Sequence, residues 1–205
     1  MHIPCAESHT LQIEPFASAH AAALEPQADY DVNTWLYVPH RYAEYRYILG
    51  TRGSRPLICI GINPSTAAPN ALDNTLKSVE RIAHAGGFDS FIMFNVYAQR
   101  ATRPDDMDRR CNEMLHRENM AAFDYILAHG GAHPAVWAAW GNLVEKRPYL
   151  KDCLRDMMEI GASHDAQWFT SGPISKRGHP HHPLYLKKDS PLDPFDIADY
   201  LDNVL

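Results

Sequence analysis

The chain has 205 residues, of which 45% are hydrophobic and 21% charged, proportions ordinary for a globular protein and ample to bury one core. No apolar run approaches the roughly 20 residues a membrane span needs, and the start "MHIPCAESHTLQIEPF" lacks the basic-then-apolar pattern of a secretion signal. The net charge of −6 argues against an extended grip on nucleic acid, because neutralising phosphates supplies most of such affinity.

Residues 1–30 are weakly patterned and read as an arm or irregular lead-in to a single α/β domain over 31–205. "RYAEYRYILG" is aromatic-rich and predicts a strand, turned by "TRGSRP" into "LICIGI" as an edge hairpin. In "ALDNTLKSVERIAHAGG", Asp73 is a candidate N-cap. Leu76, Val79, Ile82 and Ala83 follow at helical spacing, and Gly86-Gly87 end the helix. "SFIMFNVYA" predicts the next strand. "TRPDDMDRRCNEMLHRENMAAFDYILAHGG" predicts one long helix, with Pro104 near its start and Asp105 and Asp106 in its first turn.

"AVWAAWG" is apolar without alternation, as expected of a parallel strand covered on both faces. "PYLKDCLRDMMEIGA" predicts a helix with Pro148 in its first turn and Gly161 as its stop. "AQWFTSG" predicts the last strand, "GHPHHPLYLKKDSPLD" a loop, and "PFDIADYL" a closing helix capped by Asp193. Strands alternating with helices predict an α/β fold, a three-layer α/β/α sandwich around a mostly parallel central sheet.

The four cysteines, Cys5, Cys59, Cys111 and Cys153, are far apart and form no C-x-x-C pair, so no zinc knuckle or iron–sulfur site is indicated. Free thiols in a reducing cytoplasm are the expectation.

In an open parallel sheet, ligands bind beyond the carboxyl ends of the strands. Each predicted strand here ends in a polar or conformationally special group. The first ends in Gly61, Ile62, Asn63, Pro64 and Ser65; the second in Asn95, with Tyr97 and Arg100 beyond it. The third ends in Trp140 and Gly141, and the last leads to His179, His182 and Pro183. Together they predict one crevice. Taken singly, each has a plainer reading. Asn63 also suits a turn, and Asn95 also suits a structural hydrogen bond. Arg52, Arg55, Arg100 and Arg103 sit in or beside loops and are candidates to meet phosphate, with solvated surface charge the default reading. His179, His181 and His182 offer three imidazoles within four residues, the basis of a metal-dependent hydrolase alternative. No acidic partner adjoins them, and no metal or cofactor is expected.

The set "GINPSTA", "DNT", "FNVYAQRAT", "WG" and "HPLYL", in this order and spacing, resembles domain-of-unknown-function family 1643 over residues 41–190. The layout is also similar to the uracil-DNA glycosylase superfamily. In its mismatch-specific and thymine branches, the first strand ends much like "GINPS" here. A later strand ends in an asparagine as at Asn95, a Trp-Gly pair follows as at Trp140-Gly141, and the final motif begins His-Pro as at His182-Pro183.

That resemblance implies that Asn63 positions a hydrolytic water, Asn95 hydrogen-bonds the base amide, and His182 stabilises the departing base's oxygen. Gly61, Ile62, Pro64, Ser65, Asp73, Tyr97, Trp140, Gly141, His179 and Pro183 would contribute to substrate binding. The implied ligand is a nucleobase or nucleotide, with DNA as a further partner. Such enzymes flip the base from the stack and need a donor for its developing negative charge. The sequence departs from the superfamily after His182-Pro183, where "LYL" stands in place of a Ser-rich turn. Leu184 and Tyr185 are then the wedge candidates. Asp73 and Thr75 have no clear glycosylase counterpart. A non-catalytic module of the same fold that binds nucleic acid or a nucleotide is the alternative reading.

Overall fold

The computed structural model describes residues 1–187 and 190–205, and of Tyr185 the main chain. Lys188 and Asp189 of the predicted terminal loop, and the side chain of the wedge candidate Tyr185, lie outside the described residues. Seven strands form one mixed sheet: β1 (Trp35–Val38), β2 (Ile48–Thr51), β3 (Pro56–Gly61), β4 (Ser90–Asn95), β5 (Ala135–Ala138), β6 (Gln167–Thr170) and β7 (Asp193–Pro194). Five α-helices accompany them among the described residues: α1 (Phe16–Leu24), α2 (Asn74–Ala85), α3 (Glu113–Ala128), α4 (Pro148–Ser163) and α5 (Ile197–Asn203). The strand order is β1-β2-β4-β3-β5-β6-β7. The central strands β4, β3, β5 and β6 run parallel to one another, while the flanking pairs β1–β2, β2–β4 and β6–β7 are antiparallel.

The pleat divides the central strands between two apolar clusters. Ile58, Ile60, Ile92, Phe94, Val136 and Ala138 pack with residues of α1, α3 and α4. Leu57, Cys59, Phe91, Met93 and Trp137 pack with Leu76, Val79, Ile82 and Ala83 of α2. Both faces are covered, which accounts for the lack of apolar–polar alternation in "LICIGI" and "AVWAAW".

Four local expectations are corrected. First, β2 and β3 do not form a hairpin, because β4 lies between them. The connection is held by Asp89, just before β4, whose carboxylate accepts from Ser54 N at 2.9 Å, Ser54 Oγ at 2.7 Å and Arg55 N at 2.9 Å. Second, the predicted long helix is broken. Pro104–Asp106 make a short 3-10 turn, and α3 starts only after Asn112, whose side chain caps Met114 N and Leu115 N at 3.1 and 3.2 Å. Third, α5 is capped by Asp196, not Asp193, which belongs to β7. Fourth, Gly161 lies inside α4 and does not end it. A Cβ there would meet Trp168 at 3.0 Å, so glycine admits close packing on β6.

Residues 1–30 contain α1, with Phe16, Ala19 and Ala23 buried against the core. Upstream, Ser8 is fully buried; its N–H donates to Asp108 Oδ1 at 2.9 Å and its hydroxyl to Asp108 Oδ2. The lead-in is therefore bound into the body of the protein. No helix among the described residues is long and apolar enough to cross a membrane.

Candidate functional site

The helices that follow β3 and β5, α2 and α4, pack on opposite faces of the sheet. Adjacent parallel strands whose connections diverge in this way leave a crevice at their carboxyl ends. A cavity of about 640 Å³ opens there, a size that suits a small-molecule ligand. Gly61 to Thr66 line it from the end of β3, Met93 and Asn95 from β4, and Trp140 to Leu143 from the end of β5. Asp73 to Leu76 enter from the start of α2, and His182 and Leu184 from the terminal loop.

Main-chain hydrogen bonds hold the segments leaving β3 and β4 side by side. Val96 N donates to Gly61 O, Tyr97 N to Ile62 O, and Ala101 N to Pro64 O, each at 2.9 Å. Asn63 is tied into this pairing by its own side chain, whose Nδ2 donates to Ala101 O at 2.7 Å and Pro64 O at 3.1 Å. Its Oδ1 accepts no hydrogen bond among the described residues, so the acceptor end of the amide remains available to a water or ligand. Ser65 Oγ meets Thr102 Oγ1 at 3.1 Å.

Asn95 ends β4 and is 1% exposed. The hydrogen-bond network orients its amide with Nδ2 towards Asn63 O and Phe94 O, both at 3.3 Å. The amide oxygen is then an acceptor for an N–H group in the cavity. From the other side, Asn119 of α3 donates to Asn95 O at 3.0 Å and Val96 O at 3.3 Å, fixing the strand end. Gly61 makes room beside this amide, since a Cβ there would meet Met93 Cε at 2.6 Å and the Asn95 amide at 3.2 Å.

His182 is half-buried on the opposite wall. Its Nδ1 accepts from Leu184 N at 3.3 Å, which places the proton of the neutral ring on Nε2. Burial lowers its pKa below the usual histidine value, the Asp73 carboxylate opposes that shift, and His181 adds to it. A neutral donor is therefore favoured at neutral pH. Gly141 adopts φ +61° where the chain leaves β5, and its absent Cβ faces His182 Cβ at 3.6 Å.

Of the site residues expected from sequence, Gly61, Ile62, Asn63, Pro64, Ser65, Asp73, Asn95, Trp140, Gly141 and His182 line this one cavity. Asp73 also caps α2, accepting from Leu76 N at 3.0 Å. The Trp140 indole turns into the core, where its Nε1 donates to Tyr200 Oη at 2.9 Å.

Three expected residues lie elsewhere. Tyr97 is buried behind the site, its hydroxyl donating to Asp108 Oδ2 at 2.8 Å. His179 is fully buried, with Nδ1 2.8 Å from Tyr200 Oη and Nε2 3.2 Å from Glu145 Oε1. Pro183 starts the 3-10 turn Pro183–Tyr185 without lining the cavity. No group of three histidine, cysteine or acidic side chains that could hold a metal occurs among the described residues. His179 and His182 face different surroundings.

Arg46 lines the cavity and is 1% exposed, although no sequence motif marks it. Its position was legible only as a cation inside the aromatic run "RYAEYRYILG", where a buried environment is the natural one. Arg100, read from sequence as solvated, is fully buried.

A model of the family described as "Protein of unknown function (DUF1643)" matches residues 46–184. No curated protein and no solved structure matches the chain.

Proposed function

The chain belongs to that family of unknown function, and from the chemistry of its crevice we propose that it binds a nucleobase and hydrolyses an N-glycosidic bond in DNA or a nucleotide. The observation that carries this reading is the meeting of Asn63, Asn95 and His182 in one cavity of about 640 Å³. These residues come from three separate parts of the chain, and each supplies one group the reaction needs.

Breaking an N-glycosidic bond sends the bonding electron pair to the base nitrogen and leaves positive charge on the sugar. Water then adds to the sugar carbon, and the proton it loses returns the departed base anion to its neutral form. An acceptor must hold that water, a donor must meet the anionic base, and the pocket must read the base edge. Asn63 Oδ1 is the acceptor for the water. His182 Nε2–H is the donor to a base carbonyl oxygen. Asn95 Oδ1 accepts from a base N–H.

The finer fold reading, a three-layer sandwich of the uracil-DNA-glycosylase kind, belongs with this proposal. It is supported by the division of the helices between the two faces of the sheet and by polar groups at the carboxyl ends of β3 and β4. The test is release of free base from uracil-containing DNA and from uridine 5′-monophosphate, by the wild type and by the Asn63→Ala, His182→Ala double variant.

A second reading, a binding module without catalysis, is favoured by one observation. The Asn63 amide is committed through Nδ2 to Ala101 O and Pro64 O, a structural duty that a turn alone would explain. It predicts nucleobase binding that survives Asn63→Ala, with no base released.

A further inference from the structure

Arg46 and Arg100 are 1% and 0% exposed, and neither forms an ion pair among the described residues. They converge on one carbonyl. Ala67 O accepts from Arg46 Nη1 at 3.1 Å and from Arg100 Nη1 at 3.2 Å. Arg100 is otherwise engaged, donating to Ser65 O and, through Nη2, to Tyr37 Oη at 2.9 Å, with its guanidinium 4.2 Å from the Tyr42 ring centroid. Arg46 is not. Its one side-chain hydrogen bond is to Ala67 O, its Nη2 donates to no acceptor among the described residues, and its Nε, like that of Arg100, is buried without a partner.

Burying two like charges together is costly unless a counter-charge completes the site. The carboxylate on the cavity wall is Asp73, whose Oδ1 is already used by Leu76 N. Two guanidinium groups against one carboxylate leave one positive charge over. Burial first and the neighbouring Arg100 second lower the Arg46 pKa to about 9, which still leaves it charged at neutral pH. The same wall carries Asn74, Thr75 and Leu76, the first turn of a helix of 12 residues, whose amide end adds positive potential.

We infer that Arg46, backed by Arg100 and the first turn of α2, forms an anion subsite in the crevice that takes a phosphate group of the substrate. A neutral base or sugar oxygen can accept from an Arg46 N–H but leaves the buried positive charge uncompensated. A phosphate supplies the counter-charge, and its oxygen pair answers the Arg46 Nε–H and Nη2–H in the forked geometry that guanidinium favours. The assignment of the anion as a nucleotide phosphate rests on the nucleobase reading above; the subsite itself rests on Arg46. Because Arg46 is 1% exposed, the phosphate must enter the crevice. It is therefore either the terminal group of a free nucleotide or the phosphodiester of a nucleotide drawn out of a strand.

Calorimetric titration of the full chain with uridine, uridine 5′-monophosphate, inorganic phosphate and a short uracil-containing single strand tests this. The monophosphate is expected to bind at least tenfold more tightly than uridine, inorganic phosphate to compete with it, and Arg46→Met to bring the two affinities together. Should Arg46→Met fail to fold, Arg46→Lys takes its place, with a reduced monophosphate preference expected from the loss of the fork. A single strand that binds more tightly than the monophosphate, and loses that advantage in the variant, assigns the phosphodiester as the source; the reverse order assigns the free nucleotide.

Equal affinities for uridine and its monophosphate in the wild type would overturn the subsite and leave the nucleobase reading standing. Binding of inorganic phosphate that depends on Arg46, with no uridine binding, would retire the nucleobase reading and uphold the subsite. Absence of binding by all four probes would overturn it.

Discussion

The side-chain amide of Asn95 lies 3.3 Å from the main-chain oxygen of Asn63, so the end of β4 and the turn after β3 are one hydrogen-bonded unit. The proposed reader of the base and the holder of the water cannot move independently. Asn95→Ala removes both the brace and the acceptor. We expect it to destabilise the fold by about 1–2 kcal/mol and to weaken nucleobase binding at least tenfold, about 1.4 kcal/mol. Urea unfolding and calorimetric titration measure the two effects separately. A variant that loses stability but keeps full affinity would assign Asn95 a structural role alone.

Gly61→Ala probes the same floor without deleting a polar group. The new Cβ would meet the Met93 methyl at 2.6 Å. The end of a methionine side chain can swing away, so the expected stability loss is only about 1 kcal/mol. Met93 lines the cavity, so the swing narrows it. A near-native melting temperature with binding reduced severalfold is the expected pair of results; unchanged binding would place the base away from Gly61.

The histidines set the acid side of the pH response. Burial is the main cause lowering the pKa of His182, and likewise of His20, where Arg52 and His129 add to the effect. A histidine whose folded pKa lies below its unfolded value near 6.5 binds fewer protons when folded. Stability is then full above about pH 6.5 and is lost as pH falls towards the folded pKa values. Melting temperatures from pH 7.5 down to 5 should fall, and His20→Asn should flatten the fall. Asp73→Asn can keep the cap on α2 while removing the charge that favours protonated His182. The acid limb of base release should then move to lower pH; a limb that stays in place would separate His182 from the reaction.

Asp108 ties the N-terminal segment to the back of the site. Its carboxylate takes Ser8 N and the Gln99 Nε2 on Oδ1, both at 2.9 Å, and the Tyr97 and Ser8 hydroxyls on Oδ2. Removing residues 1–12 strips two donors from a buried carboxylate. The expected cost is about 2–4 kcal/mol, read from urea unfolding, with Ser8→Ala giving a smaller loss of the same sign. An unchanged midpoint after truncation would show that solvent replaces Ser8 at no cost.

The α/β class and the ends of β3 and β4 were legible because those strands are covered on both faces and stop abruptly at Gly61 and Asn95, while β5 ends at Ala138, two residues before the Trp140 expected from sequence. Asp73 was legible as a cap because capping is local. Long-range choices were not. Nothing near "TRGSRP" indicates that Asp89 will hold the turn while β4 slips between β2 and β3. The buried fates of Tyr97 and His179 depend on Asp108 and Tyr200, 11 and 21 residues away. Arg100 reads as a surface cation because its acceptors, the Ser65 and Ala67 carbonyls and the Tyr37 hydroxyl, are 33 to 63 residues away, and no motif marks Arg46.

The most direct test of the central claim is the release of free base from uracil-containing DNA and from uridine 5′-monophosphate, followed for the wild type and for the Asn63→Ala, His182→Ala double variant. The account predicts base release by the wild type from at least one of the two, and none by a folded double variant. Full activity in that double variant, or no release from either substrate by a wild type that binds them, would contradict it.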